Sequence, residues 1–181
     1  MDDPTVGGTC NSFLRTLVKD VWGLEKTKEF MRQLVKQEPV ITRDRRLQTE
    51  WVVRGKYPLG LGLHTQAAIL LIKAGGPLAF AKASEGSKID TGGGAIVVPK
   101  KNPHPSATTA FVNWILSREG HAKFVKAYGS PGARRDAPRE GIFPALFSDA
   151  GEKIFIETEE SLLFREEMSK ISREIFKPLL E

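Results

Sequence analysis

Little in this sequence supports covalent or redox chemistry. It holds one cysteine, Cys10, and three histidines, His64, His104 and His121, among 181 residues. A single thiol forms no intrachain disulfide, and no CxxC pair is present to hold zinc. The histidines are far apart and lack HxH or HxxxH spacing, so no metal centre is read from them. GxSxG, GKS or GKT, and GxGxxG are all missing, which removes the signatures of a nucleophile elbow, a phosphate loop and a dinucleotide turn. An enzyme on an α/β scaffold would need a nucleophile or metal constellation that these residues do not offer. No catalytic residue and no cofactor is assigned. No apolar stretch approaches the roughly 18 to 20 residues of a membrane span; the most apolar window is residues 67–72. Met1-Asp2-Asp3 lacks the basic and apolar pattern of a leader, and the chain reads as starting in the middle of a longer architecture.

What is present is ordinary globular material. The chain is 40% hydrophobic and 27% charged, enough to bury a core. Its 27 basic and 22 acidic residues give a net charge of +5. That balance suits a small anionic ligand, a charged surface or simply a mildly basic protein. No basic run is interleaved with aromatics, so no nucleic acid partner is expected. The one dense cluster is Arg43, Arg45 and Arg46. It is either a clamp for a carboxylate or phosphate, with Arg43 as its possible anion ligand, or a solvated helix face.

Apolar spacing predicts a helix from Phe13 to Trp22 and a second through Phe30, Met31, Leu34 and Val35, separated by Gly23. Thr42 or Asp44 caps a third running to about Gly55, and Thr65 opens a fourth through Lys73. Residues 39–42, 57–63 and 78–80 read as strands. Alternating strands and helices argue an α/β sheet over roughly residues 1–90. Further on, residues 95–98 read as an apolar strand, Ser106 caps a helix with Phe111 and Ile115, another helix runs to Tyr128, and residues 157–180 form an amphipathic helix. No internal repeat or low-complexity tract is seen.

Two loops stand out. Gly7-Gly8-Thr9-Cys10-Asn11-Ser12 sits at a helix N-terminus, where free N–H groups and a partial positive charge meet glycines that admit a close ligand. It is an anion site or a plain capped turn. Asp90-Thr91-Gly92-Gly93-Gly94 is a second ligand loop, a hinge, or a tight turn before a strand.

In order along residues 3–140, several segments resemble the extracellular solute-binding proteins of the iron-type, family 1 group. Asp3-Pro4-Thr5-Val6-Gly7-Gly8-Thr9-Cys10-Asn11-Ser12 is similar to the start of that family's second lobe. Glu50-Trp51-Val52-Val53-Arg54-Gly55-Lys56-Tyr57-Pro58-Leu59-Gly60-Leu61-Gly62 is similar to its "V..GEYPIGLG" segment, and Thr91-Gly92-Gly93-Gly94-Ala95-Ile96-Val97-Val98 resembles its returning strand. Asn102-Pro103-His104-Pro105, followed by Ala110-Phe111-Val112-Asn113-Trp114-Ile115-Leu116-Ser117-Arg118-Glu119-Gly120, resembles its "NPxAAxxFINWLLSxEGQ" helix.

The resemblance implies an α/β fold: a type II periplasmic-binding-protein lobe with a mixed sheet flanked by helices, elements returning to the other lobe, and C-terminal helices. It implies residues 1–92 as the second ligand-binding lobe, 93–135 as hinge strand and helices returning to a first lobe that the chain lacks, and 136–181 as a C-terminal extension. It implies capture of a small solute by hinge closure, docking on an ABC permease, and a periplasmic or extracellular location. By family position Thr5, Gly8, Thr9, Cys10 and Asn11 are the leading ligand contacts, then His64 with Thr65, then Thr91 and Gly92. Iron-binding members use adjacent tyrosines, whereas this chain has only Tyr57 and Tyr128 and reads Leu63-His64-Thr65 after Gly62. Direct ferric coordination is therefore not expected, and a small anion or oxyanion, or a metal carried as a complex, fits better. With half of the cleft missing, an exposed apolar face and self-association are expected. The alternative to a transport module is the ligand-sensing domain of a regulator, which would adjoin a DNA-binding or kinase segment; none is visible.

Overall fold

The computed structural model describes residues 1–89, 96–132, 134–147 and 151–180. The chain forms two compact units, Met1–Ile89 with Glu152–Glu181, and Asp90–Gly151.

The first unit is built on helices. α1 (Thr9–Thr16) runs into a π turn at Leu17–Val21, closed by Trp22 N–H donating to the Leu17 carbonyl at 2.7 Å. Gly23 at φ 78 adopts the left-handed backbone that only glycine takes readily, and α2 (Leu24–Val35) starts there. α3 (Arg45–Val53) begins where the Asp44 carboxylate accepts the Leu47 N–H at 2.9 Å, the expected cap. α4 is Thr65–Lys73. β1 (Ser87–Ile89) pairs in parallel with β2 (Ile154–Ile156), Ser87 opposite Ile154.

The second unit holds α5 (Pro105–Leu116) and α6 (Arg118–Tyr128). Ser117 joins them, its hydroxyl donating to the Trp114 carbonyl at 2.6 Å and accepting from Gly120 N–H at 3.1 Å. Among the described residues, Val125 and Ile142 are its buried apolar side chains. α5 buries none of its side chains and leaves Phe111, Trp114 and Leu116 exposed. A Cβ at Gly120 would run into the Trp114 carbonyl. Gly120→Ala is therefore expected to force α5 from α6 and cost this unit about 1–3 kcal/mol; amide exchange that speeds up in α5 and α6 would register it, and unchanged exchange would refute it.

In the first unit the chain's last helices, α7 (Glu159–Leu163) and α8 (Arg165–Phe176), close the core. Cys10, Leu14, Leu17, Met31, Met168 and Phe176 form one buried cluster, supplied by α1, the π turn, α2 and α8. The helix expected over residues 157–180 is thus two helices, broken at Phe164, with a 3₁₀ turn at Lys177–Leu179 after them.

The expected mixed sheet is not shown among the described residues. Segments 39–42, 57–63 and 78–80 are not strands, and 96–98 is irregular and exposed. The first two segments instead meet residues 1 and 2 through a few backbone hydrogen bonds. Met1 N donates to the Val40 carbonyl, Thr42 N–H to Met1 O at 3.1 Å, and Asp2 N–H to Leu61 O at 3.0 Å. A ladder needs an extended partner along its whole length. Here Gly62 at φ 74 turns the chain away, and the match stops at one isolated bridge, Asp2 to Thr42.

Candidate functional site

The loop ahead of α1 is organised by two buried carboxylates, Asp2 and Asp3. Asp3 Oδ1 accepts from Thr5 N–H at 2.8 Å and from the Thr5 hydroxyl at 2.7 Å. Its other oxygen accepts from Arg43 Nε at 2.8 Å. Burial pushes this carboxyl up, but the hydrogen bonds from Thr5 and Arg43 outweigh it and hold Asp3 below its ordinary value. Asp2 Oδ2 accepts the Cys10 N–H at 3.1 Å, so one first-turn donor of α1 is taken by the chain's own anion.

Around this pair the sequence-predicted residues fall into two groups. Thr5, Cys10 and Asn11 are buried. Asn11 Nδ2 donates to the Pro4 carbonyl at 3.3 Å and to Ser169 Oγ at 3.1 Å, while its oxygen accepts from Arg15 Nε at 3.1 Å. Arg15 continues the seam through Nη1 to the Ser161 carbonyl at 2.7 Å and an ion pair with Glu157. Gly8 and Thr9 reach solvent, and among the described residues the Thr9 hydroxyl has no partner. A Cβ on Gly8 would lie 2.8 Å from Asp2 Oδ2, so the loop closes tightly on the carboxylate there.

The second segment arrives through Gly62. A Cβ at this glycine would meet the Asp2 Cβ at 3.0 Å and the Cys10 nitrogen at 3.3 Å. The backbone of residues 60–62 therefore lies against the start of α1, with half-buried His64 and Thr65 two and three positions on, at the start of α4. Thr5, Gly8, Thr9, Cys10 and Asn11 thus gather about one helix end with Gly62 against it, while the His64-Thr65 pair is tied to it only by following Gly62 in the chain. Arg43 joins them through Asp3 with its side chain 71% exposed. Arg46 pairs with Glu50 at 2.9 Å on the open face of α3, a solvated position. Thr91 and Gly92 lie outside the described residues.

Asp2 and Asp3 were missed as site residues. Asp3-Pro4-Thr5 carries a readable signal, since an aspartate two residues before a threonine N–H forms an Asx turn. Gln48 on α3 was missed as well: its Nε2 donates to Leu61 O at 2.9 Å, while its buried Oε1 has no partner among the described residues.

Desolvation first, then the neighbouring Asp2, pushes the Cys10 thiol up to about 12. Native Cys10 is expected not to react with a thiol reagent at pH 8 and to react at once in urea; a fast native reaction would contradict the packing. An unfolded thiol ionises near 9 while the native one stays neutral, so this group's contribution is intact below pH 9 and is lost as pH rises from there toward 12.

None of the predicted residues lines either of two open grooves. One, of about 440 Å³, lies along Arg15, Val18, Lys19, Leu163 and Phe164 in the first unit. The other, of about 400 Å³, lies along Val98, Asn102, Thr108 and Val112 in the second. Among the described residues, no three His, Cys, Asp or Glu side chains stand together as a metal centre, and no helix is long and apolar enough to cross a membrane.

A protein-family model described as bacterial extracellular solute-binding protein matches residues 12–150. No curated protein and no solved structure matches the chain.

Proposed function

Because the chain belongs to the bacterial extracellular solute-binding proteins, we propose that it captures a small solute for an ABC importer, by binding and without catalysis. A permease in the membrane is its partner, and its place of work is the periplasm or the cell exterior. The fold assigned is a type II periplasmic-binding lobe of the iron-type, family 1 kind. Residues 1–92 form the ligand lobe, residues 93–135 the crossing to the other lobe, and residues 136–181 a C-terminal extension.

The observation that supports this reading is the close approach of Gly62, just ahead of His64 and Thr65, to loop 5–11 at the N-terminus of α1. Exposed Thr9 and half-buried Gly8 are the direct contacts, with His64 and Thr65 as further contacts by family position. Thr5, Cys10 and Asn11 hold the loop from beneath, with Arg43 tied in through Asp3. The helix end and the hydroxyls support a small anion, or a metal carried as an anionic complex.

A second reading has its own support. Asp2 already occupies the Cys10 N–H, and Gln48 Oε1 is a buried acceptor in need of a donor. Both favour a neutral, hydroxyl-bearing or amine-bearing solute.

A thermal-shift screen of the intact protein separates the two. Phosphate, sulfate and ferric citrate form one arm, and sugars and amines the other; a solute binding only the native state raises the melting temperature. Whichever solute binds, Thr9→Ala is expected to weaken it about tenfold, the loss of one hydrogen bond to a polar or charged group. Unchanged affinity removes Thr9 from the site.

A further inference from the structure

Residues 157–167, through α7 and into α8, carry Glu157, Glu159, Glu160, Glu166 and Glu167 against Arg165 alone. One positive and five negative charges leave this stretch at −4 in a chain of net charge +5. Leu162 and Leu163 stand among these carboxylates, 50% and 81% exposed. Leu163 lines the 440 Å³ groove with Val18 and Phe164, and Glu160 and Glu167 line it too. Val18 and Lys19 come from the π turn, an irregularity that recurs at functional sites.

The groove's own cations are already neutralised. Arg15 is held by Asn11, Ser161 and Glu157. Lys19 Nζ donates to Thr158 Oγ1 at 2.8 Å and to Glu160 at 2.6 Å. Glu167, among the described residues, has no partner. The lining's charges balance, two cations against two carboxylates, but both cations are engaged, so a visitor meets an apolar floor and, at Glu167, one carboxylate still open to a cation.

We propose that this groove docks a protein segment presenting lysine or arginine beside apolar side chains. The apolar groups cover Leu163, Val18 and Phe164, and a cation meets Glu167. Charge complementarity selects this occupant over an anionic lipid surface, which the same carboxylates repel. The groove shares no lining residue with the loop at the start of α1 that carries the solute reading, and the proposal stands whether or not that reading holds.

The test uses the full chain and a fluorescein-labelled amphipathic lysine–leucine peptide, with a glutamate–leucine peptide as control. Binding is read by anisotropy and the footprint by amide exchange. The basic peptide binds, the acidic one does not, and exchange slows in residues 157–167 and 15–19. Leu163→Ser weakens binding about tenfold or more through lost apolar burial, and Glu167→Lys about fivefold, in a salt-dependent way. Both side chains are exposed, so both variants melt with the parent. Equal binding by the variants, a footprint elsewhere, or equal binding to anionic vesicles overturns the proposal. So does a dimer in sedimentation that Leu163→Ser dissolves, which would give the groove to a second copy.

Discussion

Phe176→Ala is expected to lower the unfolding free energy by about 3–5 kcal/mol, the usual loss for deleting a buried aromatic ring. Phe176 ends α8 and is wholly buried, in the cluster with Cys10, Leu14, Leu17, Met31 and Met168. These residues come from four elements, so the cavity cannot be closed by moving one side chain. Domains of this size hold only about 5–15 kcal/mol in all, and the variant would lose a large share of it. A urea midpoint that falls with an unchanged slope is the sign to look for. Leu163→Ala serves as the control, because a side chain 81% exposed should cost within about 0.5 kcal/mol. A Phe176→Ala loss below about 1 kcal/mol would mean that α8 does not seal this core.

Arg15→Met should cost about 2–4 kcal/mol, although methionine keeps the volume and the helix propensity. The guanidinium serves three partners at once: Asn11 Oδ1 at 3.1 Å, the Ser161 carbonyl at 2.7 Å, and Glu157. Glu157 is 30% exposed and can rehydrate when the cation goes. Asn11 and Ser161 are buried and cannot, so stranded acceptors, rather than the broken ion pair, carry most of the cost. Two comparisons check this account. Glu157→Gln should lose about 1 kcal/mol, and Arg15→Lys should not restore stability, since an ammonium cannot span a fork set for a planar group. Full rescue by lysine would show that charge, not geometry, is what matters at Arg15.

The helices were legible because their signals are local. Phe13, Leu14, Leu17 and Val18 repeat at helical spacing, Gly23 interrupts, and Asp44 caps, and each acts within one or two turns. Strands were not, because a strand is made by its neighbour. Residues 57–63 carry apolar spacing, but among the described residues their one backbone–backbone hydrogen bond to another segment is from Asp2 N–H to Leu61 O, and Gly62 bends the chain off. The site was half legible for the same reason. The glycine loop before α1 shows in the sequence, and so does Asp3-Pro4-Thr5. The carboxylate of Asp2 on the amide of Cys10 does not, since nothing in the spacing brings residues eight apart together across a loop. The polar seam of Asn11, Arg15 and Ser169 was hidden by a reading that sought only apolar residues at buried positions.

The first unit is written in two pieces of chain, with residues 90–151 threaded between them. This sets an order of events during synthesis. When residues 1–89 have emerged, Leu14, Leu17 and Met31 are in hand but Met168 and Phe176 are still to be translated. A domain usually folds as a unit soon after it is made; this one must hold its half-built core open until about ninety more residues have followed, at roughly 5–20 residues per second. For those seconds α1 and α2 present an unsealed apolar face. The nascent first segment is thus the stage at which a holding chaperone or an aggregate would compete with folding.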